Sequence, residues 1–418
     1  MPPRSVHRTI AIFGVLRDRE LRALWFADWI SDVGNFVTFI ALAVYVNRLT
    51  GSAAAVGFAL ALRSVPWFTI GPFAGVLADR LDRRSLMIAT NLIRAVLVGS
   101  LPFTTAAWQA YLLSLLSSML GPLFRPARSA LMAQLAPGDR LVPALAVAET
   151  THNVLHTIGP AIGGLTVLLV GARNAFFLDA ASFVMAAAFV LTIAPRRRRE
   201  VERRPALDEL REGVRGVFAT PVVRTYALLT SSIYLGYAGV VALLVVYLRD
   251  VLGRSQGAYG LVLSVAGLGT VMASLAMAAR DDRHPRTPWA FLSAWGLGAF
   301  ALALLEPSFL WLVPVAFAAG IADAGVGIPL SAGLAENLPD ELRGRAYSAV
   351  QALSEMAAAI GSVSFAWLGE PERLGAAGGL ALAGGSGAVL GLAILFGGGA
   401  RAIARSERAR LTKALDRR

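Results

Sequence analysis

The sequence predicts an all-α integral membrane protein, with twelve transmembrane helices in two pseudo-symmetric six-helix bundles. Three observations carry this expectation. The 418 residues are 56% hydrophobic and only 16% charged, with a mean hydropathy of +0.61, whereas a soluble domain carries about a quarter charged residues. The apolar residues gather in long uncharged blocks. The two halves of the chain repeat one pattern. Such a composition excludes a soluble multi-domain enzyme, which lacks the polar surface it would need, and excludes disorder, which requires low hydrophobicity.

The clearest uncharged blocks are 95–124, 225–248, 255–279, 287–305 and 374–400. A bilayer core of about 30 Å takes roughly 20 apolar residues in a helix. The block 95–124 must therefore turn, and Pro102 marks the bend, with a restart near Trp108. Segments with one or two charges complete twelve spans, centred near residues 36, 66, 94, 116, 158, 184, 236, 268, 296, 318, 356 and 388. Helix is the form that satisfies its own backbone in lipid, and the period-two alternation of a barrel strand is not visible.

The basic residues fall on one side of these spans. Loops on one face carry only Arg48, Arg173, Arg249, Arg254 and Arg373. Arg63 and Arg94 lie within spans, and the other 32 of the 39 Lys+Arg fall at the termini and in the remaining loops. This bias predicts a multi-pass protein of the cytoplasmic (inner) membrane with both termini cytoplasmic. It accounts for the net charge of +12 without a nucleic-acid partner. Arginines at 4, 8, 17, 19 and 22, followed by a full-length span, do not read as a cleavable signal.

The expected organisation is a first bundle at 1–195, a cytoplasmic linker at 196–220 and a second bundle with a basic cytoplasmic tail at 221–418. The linker opens with a charged run at 196–204, and Leu207, Leu210, Val214, Val217 and Phe218 then recur at helical spacing. This is an amphipathic helix, either lying along the membrane interface or solvated. The stretch from Pro126 to Arg140 resembles that from Pro329 to Arg343, with Pro, both Leu and the final Arg coinciding after the fourth span of each half. A duplicated six-helix unit places a site near the midplane between two bundles.

Gly75-Val-Leu-Ala-Asp79-Arg80-Leu-Asp82-Arg83-Arg84, between spans two and three, resembles the signature loop of the major facilitator superfamily. The chain looks more particularly like the branch of macrolide and enterobactin exporters. The stretches Leu49-Thr-Gly-Ser52, Phe124-Arg-Pro-Ala-Arg128, Gly159-Pro-Ala-Ile-Gly-Gly164, Phe177-Leu-Asp-Ala-Ala-Ser-Phe183 and Arg343-Gly-Arg-Ala-Tyr-Ser348 carry that likeness. Two positions depart from the antiporter pattern. Ser117 stands where an arginine is expected four residues before Gly121, and Leu155 where a glycine is expected before Gly159.

The resemblance implies a secondary active transporter working by alternating access, a proton-coupled exporter of bulky hydrophobic drugs or secondary metabolites. A siderophore exporter, or an importer or lipid carrier of the same fold, is the alternative. A membrane-embedded enzyme or a non-transporting sensor is the reading from another class. The resemblance also implies that Gly75, Asp79, Arg80, Arg83 and Arg84 form a conformational latch. Physically, the glycine permits close helix approach, and the arginines anchor the loop at its face of the membrane.

Ionisable residues within the membrane are costly and are functional candidates. Asp28, Asp32 and Asn35 share one face of span one. Two carboxylates one turn apart repel each other, so one readily holds a proton. Glu149, His152 and His156 share a face of span five, and histidine is the side chain whose charge changes near physiological pH. Arg94 calls for a partner, with Asp32 or Glu149 expected. Asp323 and Glu355 are the deep acids of the second half. Asp179, near the outer end of span six, reads as structural. Gly159, Pro160, Gly163 and Gly164 allow a kink and close packing. Trp67 and Trp295 are the tryptophans expected to reach the interior.

With no cysteine and four histidines, no disulfide, thiolate or histidine-rich metal centre is expected. GxxxxGK[ST], HExxH and GxSxG are absent from the sequence. The expectation is a monomer without enzymatic activity, cofactor or metal, working with a small-molecule substrate, protons and the bilayer.

Overall fold

A computed structural model describes residues 14–71, 81–195, 206–278 and 308–416, with residues 288, 290–292, 294, 296 and 298. Among the described residues every regular element is helical. Helix α1 (Arg19–Thr50) begins where the Asp18 carboxylate accepts hydrogen bonds from the N–H groups of Glu20 (3.0 Å) and Leu21 (3.2 Å). These are donors that a helix start otherwise leaves unpaired. It ends at Gly51, whose φ of 69° suits a residue without a Cβ. Ser52 caps α2 (Ala53–Thr69) and Asp82 caps α3 (Arg83–Ser100) in the same manner. The bend at Pro102 is a short 3-10 turn, Leu101–Phe103, pinned by the Tyr45 hydroxyl donating to the Thr104 carbonyl at 2.8 Å. After it come α4 (Ala107–Met119) and α5 (Gly121–Leu135).

Helix α6 (Leu141–Leu191) contains two expected spans joined by a single residue, Gly171, at φ 79° and ψ 158°. Both of its ends are tied to one end of the bundle. Arg140 pairs with Asp18 at 2.8 Å, while the Ala194 N–H donates to Glu20 at 2.7 Å. A straight run of this length would extend about 75 Å at 1.5 Å per residue. The chain therefore reverses at Gly171, where a side chain would be strained.

The second half follows the linker, whose residues 196–205 lie outside the described residues. Its helices are α7 (Ala206–Ala219), α8 (Pro221–Val246), α9 (Gln256–Ala278), α10 (Phe309–Asn337), α11 (Asp340–Leu368), α12 (Gly375–Ile394) and α13 (Ala400–Asp416). Eleven of the twelve expected span centres fall in continuous helix, and the ninth falls in the incompletely described stretch 279–307. Seven described helices are long and apolar enough to cross a membrane, and Ala53–Thr69 and Phe309–Gly325 are shorter apolar helices. Large apolar side chains such as Leu310 (84% exposed) and Phe396 (73% exposed) stand on the outside. So much exposed apolar surface is stable against lipid and not against water.

The two ends of the bundle differ. At the basic end, Arg84 donates to the Leu191 carbonyl at 2.9 Å, Arg83 reaches the Ala130 carbonyl at 3.4 Å, and Glu212 of α7 pairs with Arg345 of α11. Gly213 of α7 lies against the backbone of Arg345, and Val217 is fully buried. Around Gly213 and Val217 the amphipathic helix thus packs on the protein.

At the far end, the two halves of the sequence close on each other. The Ser52 hydroxyl donates to Glu370 at 2.6 Å, and the Ala54 N–H donates to the same carboxylate at 2.8 Å. Arg249 donates to the carbonyls of Asn47 and Gly51, both at 3.3 Å. Just inside, α6 crosses α9 where Gly164 meets Gly260, and α2 crosses α11 where Gly57 meets Ser362. A Cβ on Gly164 would stand 2.2 Å from the Gly260 carbonyl oxygen, and one on Gly57 2.1 Å from that of Ser362. Such backbone contact is how small residues bind helices in lipid.

Candidate functional site: a central cavity lined from both halves

Between the halves lies a cavity of about 370 Å³. Part of its polar lining comes from residues well inside long helices. Asp32 is about 20 Å along α1 from Arg19, and His152 about 16 Å along α6 from Leu141, at 1.5 Å per residue. The apolar lining includes Phe36, Phe39, Phe124 and Trp67.

Four side chains make a continuous polar path across it. Asp32 Oδ2 lies 3.3 Å from His152 Nδ1, and His152 Nε2 lies 3.2 Å from an Arg125 nitrogen. The other Arg125 nitrogen donates to Gln351 Oε1 on α11 at 3.1 Å, across the divide between the halves. The Arg125 guanidinium also covers the Trp67 ring, 4.8 Å from its centre. Gly121 permits this, since a Cβ there would sit 3.2 Å from that indole.

One turn along α1 from Asp32, Asp28 pairs with Arg128 at 3.0 Å, both side chains mostly buried. The two carboxylates of that face thus have separate basic partners. Arg94 departs from expectation. Its guanidinium donates to Asn35 rather than to Asp32, and stacks on Phe183 with 4.3 Å to the ring centre, while the side chain of Glu149, the other expected partner, lies outside the described residues. A planar guanidinium can satisfy an amide at its edge and an aromatic ring on its face at once.

Asp179, read from the sequence as structural, stands at the cavity wall. It lines the cavity while being 1% exposed, and it accepts a hydrogen bond from Ser182 at 3.0 Å. Gly34 lets it approach, for a Cβ there would lie 2.0 Å from Asp179 Oδ1. In the second half, Asp323 on α10 and Glu355 on α11 both line the cavity, with Tyr234 and Tyr237 of α8 beside them.

Other sequence candidates fall variously. Pro160 lines the cavity within α6. Gly159 and Gly163 lie against Phe36 of α1, and Gly164 against Gly260. The side chains of Glu149 and His156 lie outside the described residues, as do Gly75, Asp79, Arg80 and Trp295. Trp67 reaches the cavity. Sequence reasoning assigned Arg125 to a loop and passed over Gln351, Tyr234 and Tyr237. The signal for Arg125 was its spacing, four residues after Gly121, one turn beyond the glycine that Ser117 precedes.

An apolar helical bundle around a central cavity lined by ionisable residues defines a multi-pass membrane transporter of the major facilitator type. The chain belongs to the transmembrane secretion effector family, whose sequence model matches residues 10–406. It is 26% identical over 377 residues to the MFS-type transporter YfiS of Bacillus subtilis (strain 168), covering 84% of this chain and 88% of that protein. It is also 26% identical over 366 residues to the multidrug efflux pump Tap of Mycolicibacterium fortuitum, covering 82% and 87%. Among solved structures, a variant of the nucleoside transporter NupG superposes with a TM-score of 0.73 at 14% identity, covering 90% of this chain and 99% of that one. A bacterial homolog of the human lysosomal transporter Spinster, inward-facing and unoccupied, gives 0.71 at 14% identity, covering 94% and 97%. These likenesses establish the fold.

Proposed function

We propose that this transporter is a proton-coupled exporter of bulky, largely apolar compounds, working by alternating access in the cytoplasmic membrane. Its basic end, with both termini, faces the cytoplasm, in keeping with the arginine bias. Two six-helix bundles, 1–195 and 221–418, rock about the cavity as a monomer. The closed far end then corresponds to a state open toward the cytoplasm. The names of Tap, as a multidrug efflux pump, and of PmrA of Streptococcus pneumoniae, as a multi-drug resistance efflux pump, support the cargo class.

The observation that carries the reading is the path Asp32–His152–Arg125–Gln351. Its first two members lie within hydrogen-bond distance, so a proton can pass between them, and its last contact bridges the halves. A proton arriving on the Asp32–His152 pair changes the charge that Arg125 faces by one unit. That alters how strongly Arg125 holds Gln351, so proton occupancy and separation of the halves become linked quantities.

Purified protein in liposomes tests this. An imposed pH gradient should drive accumulation of a fluorescent antibiotic or dye, and Asp32→Asn should remove the dependence on the gradient. Flux indifferent to the gradient in the unmodified protein refutes proton coupling.

A further inference from the structure

Among the described residues the cavity's basic groups all stand on one side. Arg63, Arg94, Arg125 and His152 belong to the first half of the chain, and the second half contributes the acids Asp323 and Glu355 with the rings of Tyr234 and Tyr237. The four cavity acids are not equivalent. Asp32 has His152, Asp179 lies in the fields of Arg94 and Arg63, and Glu355 lies in those of Arg125 and Arg63. Among the described residues no cation acts on Asp323. Its electrostatic neighbours are Tyr234 and Tyr237. The Asp323 side chain is exposed to the cavity space, in a helix segment, Gly320–Asp323, that also lines it.

We propose that Asp323, with the faces of Tyr234 and Tyr237, is the binding site for the positively charged group of a lipophilic organic cation. Three properties meet there. A carboxylate with no cation beside it among the described residues supplies the countercharge. Two electron-rich rings beside it attract a diffuse cation through their quadrupoles. The apolar remainder of the cavity takes the hydrophobic body. The arginines across the cavity set the orientation, since a cation's charged end is repelled from that wall and an anion would be drawn to it. This inference rests on the exporter reading for its cargo class. It adds the sign of the cargo's charge and the residues that choose it.

The test is direct binding to the detergent-purified full chain, without any gradient. Radiolabelled tetraphenylphosphonium is the probe, and tetraphenylborate, of like shape and opposite charge, is the comparison. The unmodified protein should bind the cation in preference to the anion. Asp323→Asn should weaken cation binding by about ten- to hundredfold, as for loss of one charge-assisted contact. Asp323→Glu should retain most of it. Tyr237→Phe, which keeps the ring, should bind nearly as the parent, and Tyr237→Leu more weakly. Size-exclusion profiles and unfolding midpoints confirm that each variant is folded.

Cation binding unchanged in Asp323→Asn overturns the proposal, as does equal binding of the two ions, or no binding of the cation. Gradient-driven flux is measured separately. Its failure would refute proton coupling and leave the binding result standing, while failure of binding would leave coupling untouched.

Discussion

Asp28 and Arg128 show what a charge inside a bundle requires. Each is mostly withdrawn from water, and each has the other at 3.0 Å. Removing one partner strands the other, a loss of about 3–5 kcal/mol for a buried pair. Asp28→Asn should therefore lower the unfolding midpoint in detergent markedly. Asp28→Asn combined with Arg128→Gln should recover part of that loss. If the double variant is as unstable as the two losses added, the pair is not coupled.

At the basic end, Asp18 has a different environment. The hydrogen bond from Arg140, with the N–H groups of Leu21 and Glu20, holds its carboxyl below the usual aspartate range. A lowered folded-state value means that the contribution is whole above the ordinary aspartate value of about 3.9. It fades as pH falls through the folded value. Thermal scans between pH 6 and pH 3 should show a smaller acid-induced fall in stability for Asp18→Asn than for the parent. An identical fall in both would remove Asp18 from the account.

The placing of Asp28, Asp32 and Asn35 on one face follows from helical spacing and was legible in sequence. Arg125 was not. A proline after it and three arginines within sixteen residues make 125–140 look like a loop. Yet α5 continues through Pro126, and the Trp67 ring, Gln351 and His152 receive the charge. Those partners come from other helices, and no local pattern announces them.

At the scale of helices, the close crossings do most to set the shape. The sequence marks Gly163-Gly164 as a packing site, because small residues in a span permit close approach. It does not say that the counterpart of Gly164 is Gly260, which depends on how two distant helices meet. The hairpin at Gly171 was visible only as a boundary between two spans. That one glycine makes the whole turn follows from its backbone angles.

The crossing of α6 and α9 yields a firm expectation. In Gly260→Leu the added side chain has no space, since even a Cβ would stand 2.2 Å from the Gly164 carbonyl oxygen. The helices must part at the far end. The natural chain has no cysteine, so a single Ser118→Cys in the cavity wall reports access without background. Its labelling by a membrane-impermeant maleimide from the far side should rise several-fold when Gly260→Leu is added. Unchanged labelling would mean that this crossing does not seal the far end.

Over the whole molecule, charge, symmetry and closure belong to one argument. The arginine asymmetry predicts which loops share a face. The structure gathers the same loops, with Arg140 at Asp18 on one end and Arg249 at Gly51 on the other. The resemblance between 126–140 and 329–343 also acquires a physical sense. Pro126 and Pro329 both lie within helices, while Arg140 and Arg343 both stand at the start of the next. Two similar units then meet through equivalent small-residue crossings, α2 on α11 and α6 on α9, both toward the far end.

If transport requires those crossings to open in each cycle, fixing one of them must stop it. Gly57 and Ala366 offer the place, because a Cβ on Gly57 would lie 2.5 Å from the Ala366 Cβ. A disulfide sets its two Cβ atoms about 3.5–4.5 Å apart, so a small separation of α2 and α11 admits one. In an otherwise cysteine-free chain, Gly57→Cys with Ala366→Cys should cross-link under mild oxidation and lose gradient-driven flux. Reduction should restore the flux, and neither single variant should respond to oxidant. A cross-linked protein that still transports at the parent rate would show that the far end need not open, and alternating access between these halves would be wrong.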